Sequence, residues 1–351
     1  MNYEAVSAGC PVSRVATGDD QTVFSTNWDY LRGMKMNALA PSPNMALVTD
    51  PERRSDNFTP WFWPDNELAA AIDIRRKAYV NHKERVLNTA DNDPMIRAAC
   101  QRLLGLQARY LAEYFPEKYS IENSKKYGKV IINTANEGRH DAYQLYPGED
   151  GMHPLAISGM LGQEDVCIVR SKKNGRQVLV AGFLASPTNW NLSDFMNQDM
   201  DEIHRNVEGY HEPARSGSRY MMKNTVDKFL LQLRQYPQGI TWRNNQFIEY
   251  IPTLAREPQD DTDYDHDAVY QDPGENIYLR TERETLARLP EPYEDFVIFT
   301  IKPHVFRMSD VRRLRGDDFI QAVATNSVIR SALQVDDGKK STQNYIAPLE
   351  N

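Results

Sequence analysis

The sequence is poor in the features that announce several common protein classes. Cysteine is scarce, with Cys10, Cys100 and Cys167 the only three in 351 residues. An odd, widely spaced set is not a disulfide framework, no CxxC pair offers a zinc site, and no CxxCH attaches a haem covalently. Neither GxGxxG nor GxxxxGK[ST] is present, so both common phosphate cradles are missing and any nicotinamide is expected to bind elsewhere. No run approaches the ~18 apolar residues of a membrane span. No apolar signal core follows Met1. Positive charge is in deficit, 41 Lys+Arg against 49 Asp+Glu for a net charge of -8. Non-specific nucleic-acid binding draws most of its affinity from a basic face, so it is not expected. These absences point to a soluble, cytoplasmic protein with neither a nucleic-acid nor a membrane partner.

What is present is enough to fold. The hydrophobic share of 40% supports a packed core, and the length allows one large domain or two smaller ones. Residues 1–55 hold scattered Ser, Asn, Pro and Gly with little periodicity and read as an N-terminal extension. Residues 56–340 read as a single domain and 341–351 as a tail. Two helical patterns open the domain. The first runs from about Asn66 to Leu87 with Asp65 as the expected N-cap, and the second from Asp93 to Tyr114 with Pro94 in its first turn. Strands are expected at Val130–Ile132, Asp165–Val169, Gln177–Leu184, Gln246–Ile251, Asn276–Glu284 and Asp295–Lys302. Asn174-Gly175 marks a hairpin turn between the second and third of these. Further helices are expected at Ser193–Val207, Tyr220–Tyr236 and Ser309–Leu333. Strands joined by hairpins, with helices before and between them, predict an α+β fold around an antiparallel sheet.

The densest chemistry lies in Asn276 to Pro290. In a strand, Tyr278, Arg280, Glu282 and Glu284 share one face, and Ile277, Leu279, Thr281 and Arg283 the other. Arg280 can hold an anion or polarise an oxygen, and Glu282 can take a proton or bind an amine cation. A salt-bridged strand face is the plainer reading of the same spacing. In Ser193–Val207, the residues Met196, Met200, Ile203 and Val207 form a helical stripe with His204 beside it. His204 could be an axial haem ligand or simply a histidine at a helix C-terminus. His304, placed just after a strand, is the rival imidazole. Cys167 is a thiolate candidate or, in an apolar strand, a packing residue. Asp261 to Asp267 resembles the start of a calcium loop but lacks the glycine at the sixth position and the glutamate at the twelfth, here Asp272, so it reads as an acidic loop with turn chemistry. Trp190 closes the turn Ser186-Pro187-Thr188-Asn189 as an apolar anchor or a flat contact for a cofactor.

Taken together, four stretches resemble the haem-dependent oxidative N-demethylase family. His153-Pro154-Leu155 through Gln163-Glu164-Asp165-Val166-Cys167 is similar to its "PL…G.LvQEDlcl" stretch, and Phe183 through Ser186-Pro187 to Trp190 to its "fPs.W" turn. Ile203-His204 with Val207 is similar to its "IHxPVP" element. Leu279-Arg280-Thr281-Glu282-Arg283-Glu284-Thr285-Leu286 with Arg288-Leu289-Pro290 is similar to its "LRxERqTLxRLP" signature, the most specific of the four. The resemblance spans roughly residues 60–335.

The resemblance implies a PAS-like fold, α+β with flanking helices, holding haem b through a histidine. It implies an oxidoreductase, a monooxygenase that uses O2 to oxidise the N-methyl group of a small secondary amine such as dimethylamine, giving formaldehyde and the demethylated amine. It implies electrons from NADPH through a separate reductase carrying FMN and an iron–sulfur cluster. On the matching positions, His204 becomes the iron ligand, Trp190 and Arg283 cofactor contacts, and Arg280 and Glu282 the catalytic pair. Arg280 would stabilise bound oxygen as charge develops, and Glu282 would orient the amine and take its proton. Departures from the pattern are Asn206 and Glu208 where the family has prolines, and Gln246 where tryptophan is usual. They bear on the substrate more than on the haem. A haem-binding PAS-like sensor, or a haem oxygenase acting on a larger biosynthetic amine, are the alternatives. A sensor usually needs an output segment, and no coiled-coil heptads are present.

Overall fold

A computed structural model describes residues 27–33, 60–90, 93–136, 139–187, 191–205, 233, 240–255 and 265–325. The elements in chain order are α1 (Trp28–Gly33), α2 (Leu68–Asn81), α3 (Lys83–Val86), β1 (Leu87–Thr89), α4 (Pro94–Tyr114), β2 (Tyr119–Ser124), β3 (Gly128–Asn136), β4 (Arg139–Gln144), α5 (Pro154–Leu161), β5 (Asp165–Ser171), β6 (Gln177–Phe183), α6 (Leu192–Phe195), α7 (Met200–Ile203), β7 (Ile240–Glu249), α8 (His266–Gln271), α9 (Pro273–Asn276), β8 (Tyr278–Arg288), β9 (Phe296–Arg307) and α10 (Met308–Thr325). The expected antiparallel α+β architecture is what forms. Six strands make one sheet in the order β1-β6-β5-β9-β8-β7, and β2-β3-β4 make a separate three-stranded meander. Every strand pair in both is antiparallel.

Register fixes which side chains share a face. Cys167 pairs with Phe299, and Phe299 with Leu286, so these three point the same way. Ile168, Ile298 and Ala287 point the other way and join the main hydrophobic cluster with α2, α4 and α5. We call this second side the core face and the first the site face. At about 25 cal/mol for each Å² of apolar surface removed from water, this cluster is the chief source of stability. The helix α4 follows its pattern closely. The Asp93 side chain accepts from the Met95 N–H and Pro94 occupies the first turn, where its missing N–H costs nothing.

Four expectations are corrected. Asp65 is not the N-cap of α2; that place falls to Glu67, while Asp65 accepts the Glu67 N–H at 2.9 Å and pairs with Lys302. A buried ammonium has the stronger claim on the carboxylate. The helix expected to Leu87 ends at Asn81, and after His82 the chain turns into α3 and then β1. The helix expected over Ser193–Val207 is two short turns, α6 and α7. Asn197 between them has φ +65°, and Asp199 starts α7 with a capping box shared with Glu202. His304 lies inside β9 rather than after it. The hairpin at Asn174-Gly175 forms as expected, with Gly175 at φ +86°. Asp265 and Asp272 of the acidic loop cap α8 and α9. The stretch assigned to the N-terminal extension contains α1, whose Tyr30 and Leu31 are buried against β8, β9 and α10. The expected helix over Tyr220–Tyr236 lies outside the described residues save Leu233, as do residues beyond Thr325.

Candidate functional site

The β8 signature alternates as its spacing demands. Tyr278, Arg280, Glu282 and Glu284 sit on the site face, opposite Arg307, Val305, Pro303 and Ile301 of β9. Arg280 is fully buried and its guanidinium is heavily engaged. Nε donates to Glu282 Oε1 at 3.0 Å, Nη1 to Leu254 O at 2.8 Å and Thr253 O at 3.4 Å, and Nη2 to Ser186 O at 3.0 Å. One side chain thus ties β8 to the turn after β6 and the loop after β7. The planar fork suits this, because its donors point in fixed directions. Glu282 keeps 8% exposure, with one oxygen held by Arg280.

His204 is the C-terminal cap of α7 and is half-buried. Its Nδ1 lies 2.8 Å from Met200 O, which makes Nδ1 the protonated nitrogen and puts the ring lone pair on Nε2. The turn that carries it is docked on β6. Asn197 N donates to Leu179 O at 2.9 Å, Leu179 N to Gln198 O at 3.0 Å, and Val178 bridges Asp199. Arg176 in the hairpin reaches Asp199 Oδ2 at 2.7 Å. Met196, Met200 and Ile203 pack beside Cys167, Leu179, Leu192 and Phe299. This docking puts the His204 turn on the site face, together with Arg280 and Glu282. Phe299 and Pro303, which mark the two places on β9, are about 13 Å apart along the strand at ~3.3 Å per residue. Burial pushes the Cys167 thiol far above its ordinary range, so it is a neutral packing residue.

Arg283 lies on the core face, away from this group. It is buried, donates to Pro60 O, and its guanidinium carbon sits 5.8 Å from the centre of the Trp63 ring. His304 is on the core face too, stacked on Tyr30 with ring centres 4.3 Å apart. Burial, reinforced by the Lys302 charge, lowers its pKa to about 3, so the imidazole is neutral. The gap at this point of β9, bordered by Arg75, Ser186, Leu254, Pro303, His304 and Val305, holds about 10 Å³. That is room for roughly one water and none for a macrocycle. Asp65, Glu67 and His304 come close enough to surround a cation, but the Lys302 ammonium is already 2.7 Å from Asp65 Oδ2. Trp190 lies outside the described residues.

Two contributors were hidden in the sequence. Arg75 sits within the apolar stripe of α2 and is 1% exposed. The backbone carbonyls of Ser186 and Leu254, which grip Arg280, carry no side-chain signal at all. The only available hint for Arg75 was its place in the stripe beside Ile72 and Ile74.

One face of the long antiparallel sheet thus carries an imidazole-bearing turn and a buried guanidinium–carboxylate pair. Residues 53–328 match a family of haem-dependent oxidative enzymes. The chain belongs to that family, haem-dependent oxidative N-demethylase, alpha subunit-like. A comparison with curated proteins gives no match. Among the described residues no helix is long and apolar enough to cross a membrane.

Proposed function

We propose that the protein is a haem-dependent monooxygenase that removes an N-methyl group from a small secondary amine of the dimethylamine kind, working as the catalytic partner of a separate reductase. The observation that carries this reading is the placement of the His204 turn and the Arg280–Glu282 pair on one sheet face in a chain of this family. The donor chemistry fits a haem. His204 has its Nδ1 turned to a backbone carbonyl, the arrangement that leaves Nε2 suited to iron and fixes the ring's orientation. The wall beside it is apolar and rich in methionine, with Met196 and Met200. In this reading the sheet and its flanking helices are a PAS-like core, Trp190 offers a flat contact to the haem, and Arg283 braces the signature strand from behind.

The haem, when bound, supplies the oxidation of the methyl group by dioxygen, with electrons delivered from NADPH through the reductase's FMN and iron–sulfur cluster. The chain's own residues position the amine and handle its proton. Glu282 accepts a hydrogen bond from the amine N–H and takes the proton of the ammonium form, which restores the nitrogen lone pair. Arg280 holds Glu282 Oε1 and keeps the carboxylate aimed. Three of its four other N–H groups go to backbone carbonyls, which fix the guanidinium beside Glu282. The low exposure of Glu282 strengthens the pull of its carboxylate on a cation, against which the Arg280 charge acts.

The test is a visible absorption spectrum of the purified protein, oxidised, reduced with dithionite, and reduced with carbon monoxide. A Soret band that shifts at each step is expected, followed by formaldehyde release from methylated amines when a reductase is supplied. Absence of a Soret band after adding haemin would remove the proposal.

A further inference from the structure

We propose that Asp165 and Arg75 are positioning residues for Glu282, acting through the Ser186 backbone and the Arg280 guanidinium. The inference rests on the reading of Glu282 as the amine-binding carboxylate and deepens it.

The connection is two runs of buried, charge-assisted hydrogen bonds joined through the backbone of Ser186. Arg75 Nη1 donates to Asp165 Oδ1 at 2.7 Å. Asp165 also accepts Ala185 N at 2.9 Å through Oδ1 and Ser186 N at 3.0 Å through Oδ2. The carbonyl of the same Ser186 accepts Arg280 Nη2 at 3.0 Å, and Arg280 Nε donates to Glu282 Oε1 at 3.0 Å. Arg75, Asp165 and Arg280 are each at most 1% exposed. Arg75 cannot swing away, because Nε donates to Gly159 O at 2.7 Å and Nη2 to Glu164 O at 2.5 Å.

Each link demands the residue type it has. Only a carboxylate offers enough lone pairs to accept two adjacent backbone N–H groups and a guanidinium together. Fixing the N–H of Ala185 and Ser186 sets the orientation of the turn, and so the direction of the Ser186 carbonyl. That carbonyl is one of the acceptors that stop the Arg280 fork from rotating. Buried polar groups linked in this way polarise and constrain one another, so a loss at one end is felt at the other.

The plainer account is that Arg75 and Asp165 merely anchor the start of β5. A mutant cycle on the full-length, haem-loaded protein separates the two, with dimethylammonium chloride titrated calorimetrically into wild type, Asp165→Asn, Glu282→Gln and the double variant. Each single change is expected to weaken amine binding about 10-fold, the scale of losses from outer-shell partners. The double variant is expected to bind no more weakly than Glu282→Gln alone, because both changes act on one carboxylate. The Soret band of Asp165→Asn should match wild type, since the His204 turn is docked elsewhere on the sheet. Losses that add to about 100-fold, or amine binding by Asp165→Asn equal to wild type, would overturn the relay. Wild-type binding by Glu282→Gln would instead overturn the parent reading, and the relay with it. Should Asp165→Asn fail to fold, Arg75→Lys takes its place in the same cycle. It keeps a positive charge beside Asp165 but loses the fork that reaches Gly159 and Glu164, and the same outcomes decide.

Discussion

Acidification should unfold this protein in part through His304. The ring is 1% exposed, stacked on Tyr30 with Phe306 alongside and Lys302 close by. Burial and the Lys302 charge hold its pKa at about 3, only partly opposed by Asp65. The unfolded chain takes up that proton near pH ~6.5. Between those two values the unfolded state binds more protons than the folded one, so stability falls as pH falls. The loss relative to neutral pH is about 1.4 kcal/mol at pH ~5.5 and about 2.7 kcal/mol at pH ~4.5. His304→Phe keeps a flat ring in the stack and carries no proton. Urea unfolding followed by tryptophan fluorescence, from about pH 7.5 to about pH 4.5, measures both proteins. The variant's stability should decline less steeply below pH ~6.5, by about 1.4 kcal/mol per pH unit. His153, lowered to about 4 by burial and by the nearby Arg97 and Lys83, acts in the same direction but is present in both proteins. Equal slopes for wild type and variant would refute the argument.

Four further outcomes are expected. His204→Ala should lose haem or its normal spectrum, and full retention with an unchanged spectrum would end the ligand assignment. Glu282→Gln should keep haem yet lose amine oxidation, and formaldehyde release near the wild-type rate would make Glu282 a structural residue only. Asp199→Ala removes the cap on Glu202 N and the partner of Arg176. It should cost about 1 kcal/mol and speed haem release to an apoprotein acceptor about 10-fold, whereas unaltered release would mean that the capping box does not steady His204. Gly159→Ala would put a Cβ inside contact distance of the Phe183 ring. A loss of about 1–3 kcal/mol is expected from the overpacking, read as a lower unfolding midpoint, and an unchanged midpoint would count against so close an approach.

Local rules were legible where local forces decide. The start of α4 at Pro94, the Asn174-Gly175 hairpin and the two faces of β8 all follow from residues within a few positions of one another. Reading failed where a distant partner or a local conflict intervened. Asp65 abandons α2 for Lys302, which is 237 positions away. The stripe of Met196, Met200 and Ile203 does pack on one cluster, but through two turns and a left-handed Asn197 rather than one helix. Period alone cannot tell these apart, whereas the Asp199–Glu202 capping box could have. The β2–β3–β4 meander was seen only at Val130–Ile132, because β2 is largely polar and half-exposed. In the candidate site, the pairing of Arg280 with Glu282 follows from strand spacing. Its connection to Asp165 runs through backbone groups that every residue possesses and no sequence distinguishes.

The signature strand lies between two environments, and that has a consequence for how its mutations would sort. Positions 280, 282 and 284 lie on the sheet face that also carries the His204 turn, while 279, 281 and 283 face the aromatic and polar interior around Tyr30, Trp63 and Lys302. A scan of single substitutions along β8 would therefore beat with a period of two. On the proposed function, substitution of Glu282 would yield folded protein with altered chemistry, and the odd positions would yield less protein with its chemistry intact. One stretch of backbone would act as two independent genetic elements, interleaved residue by residue.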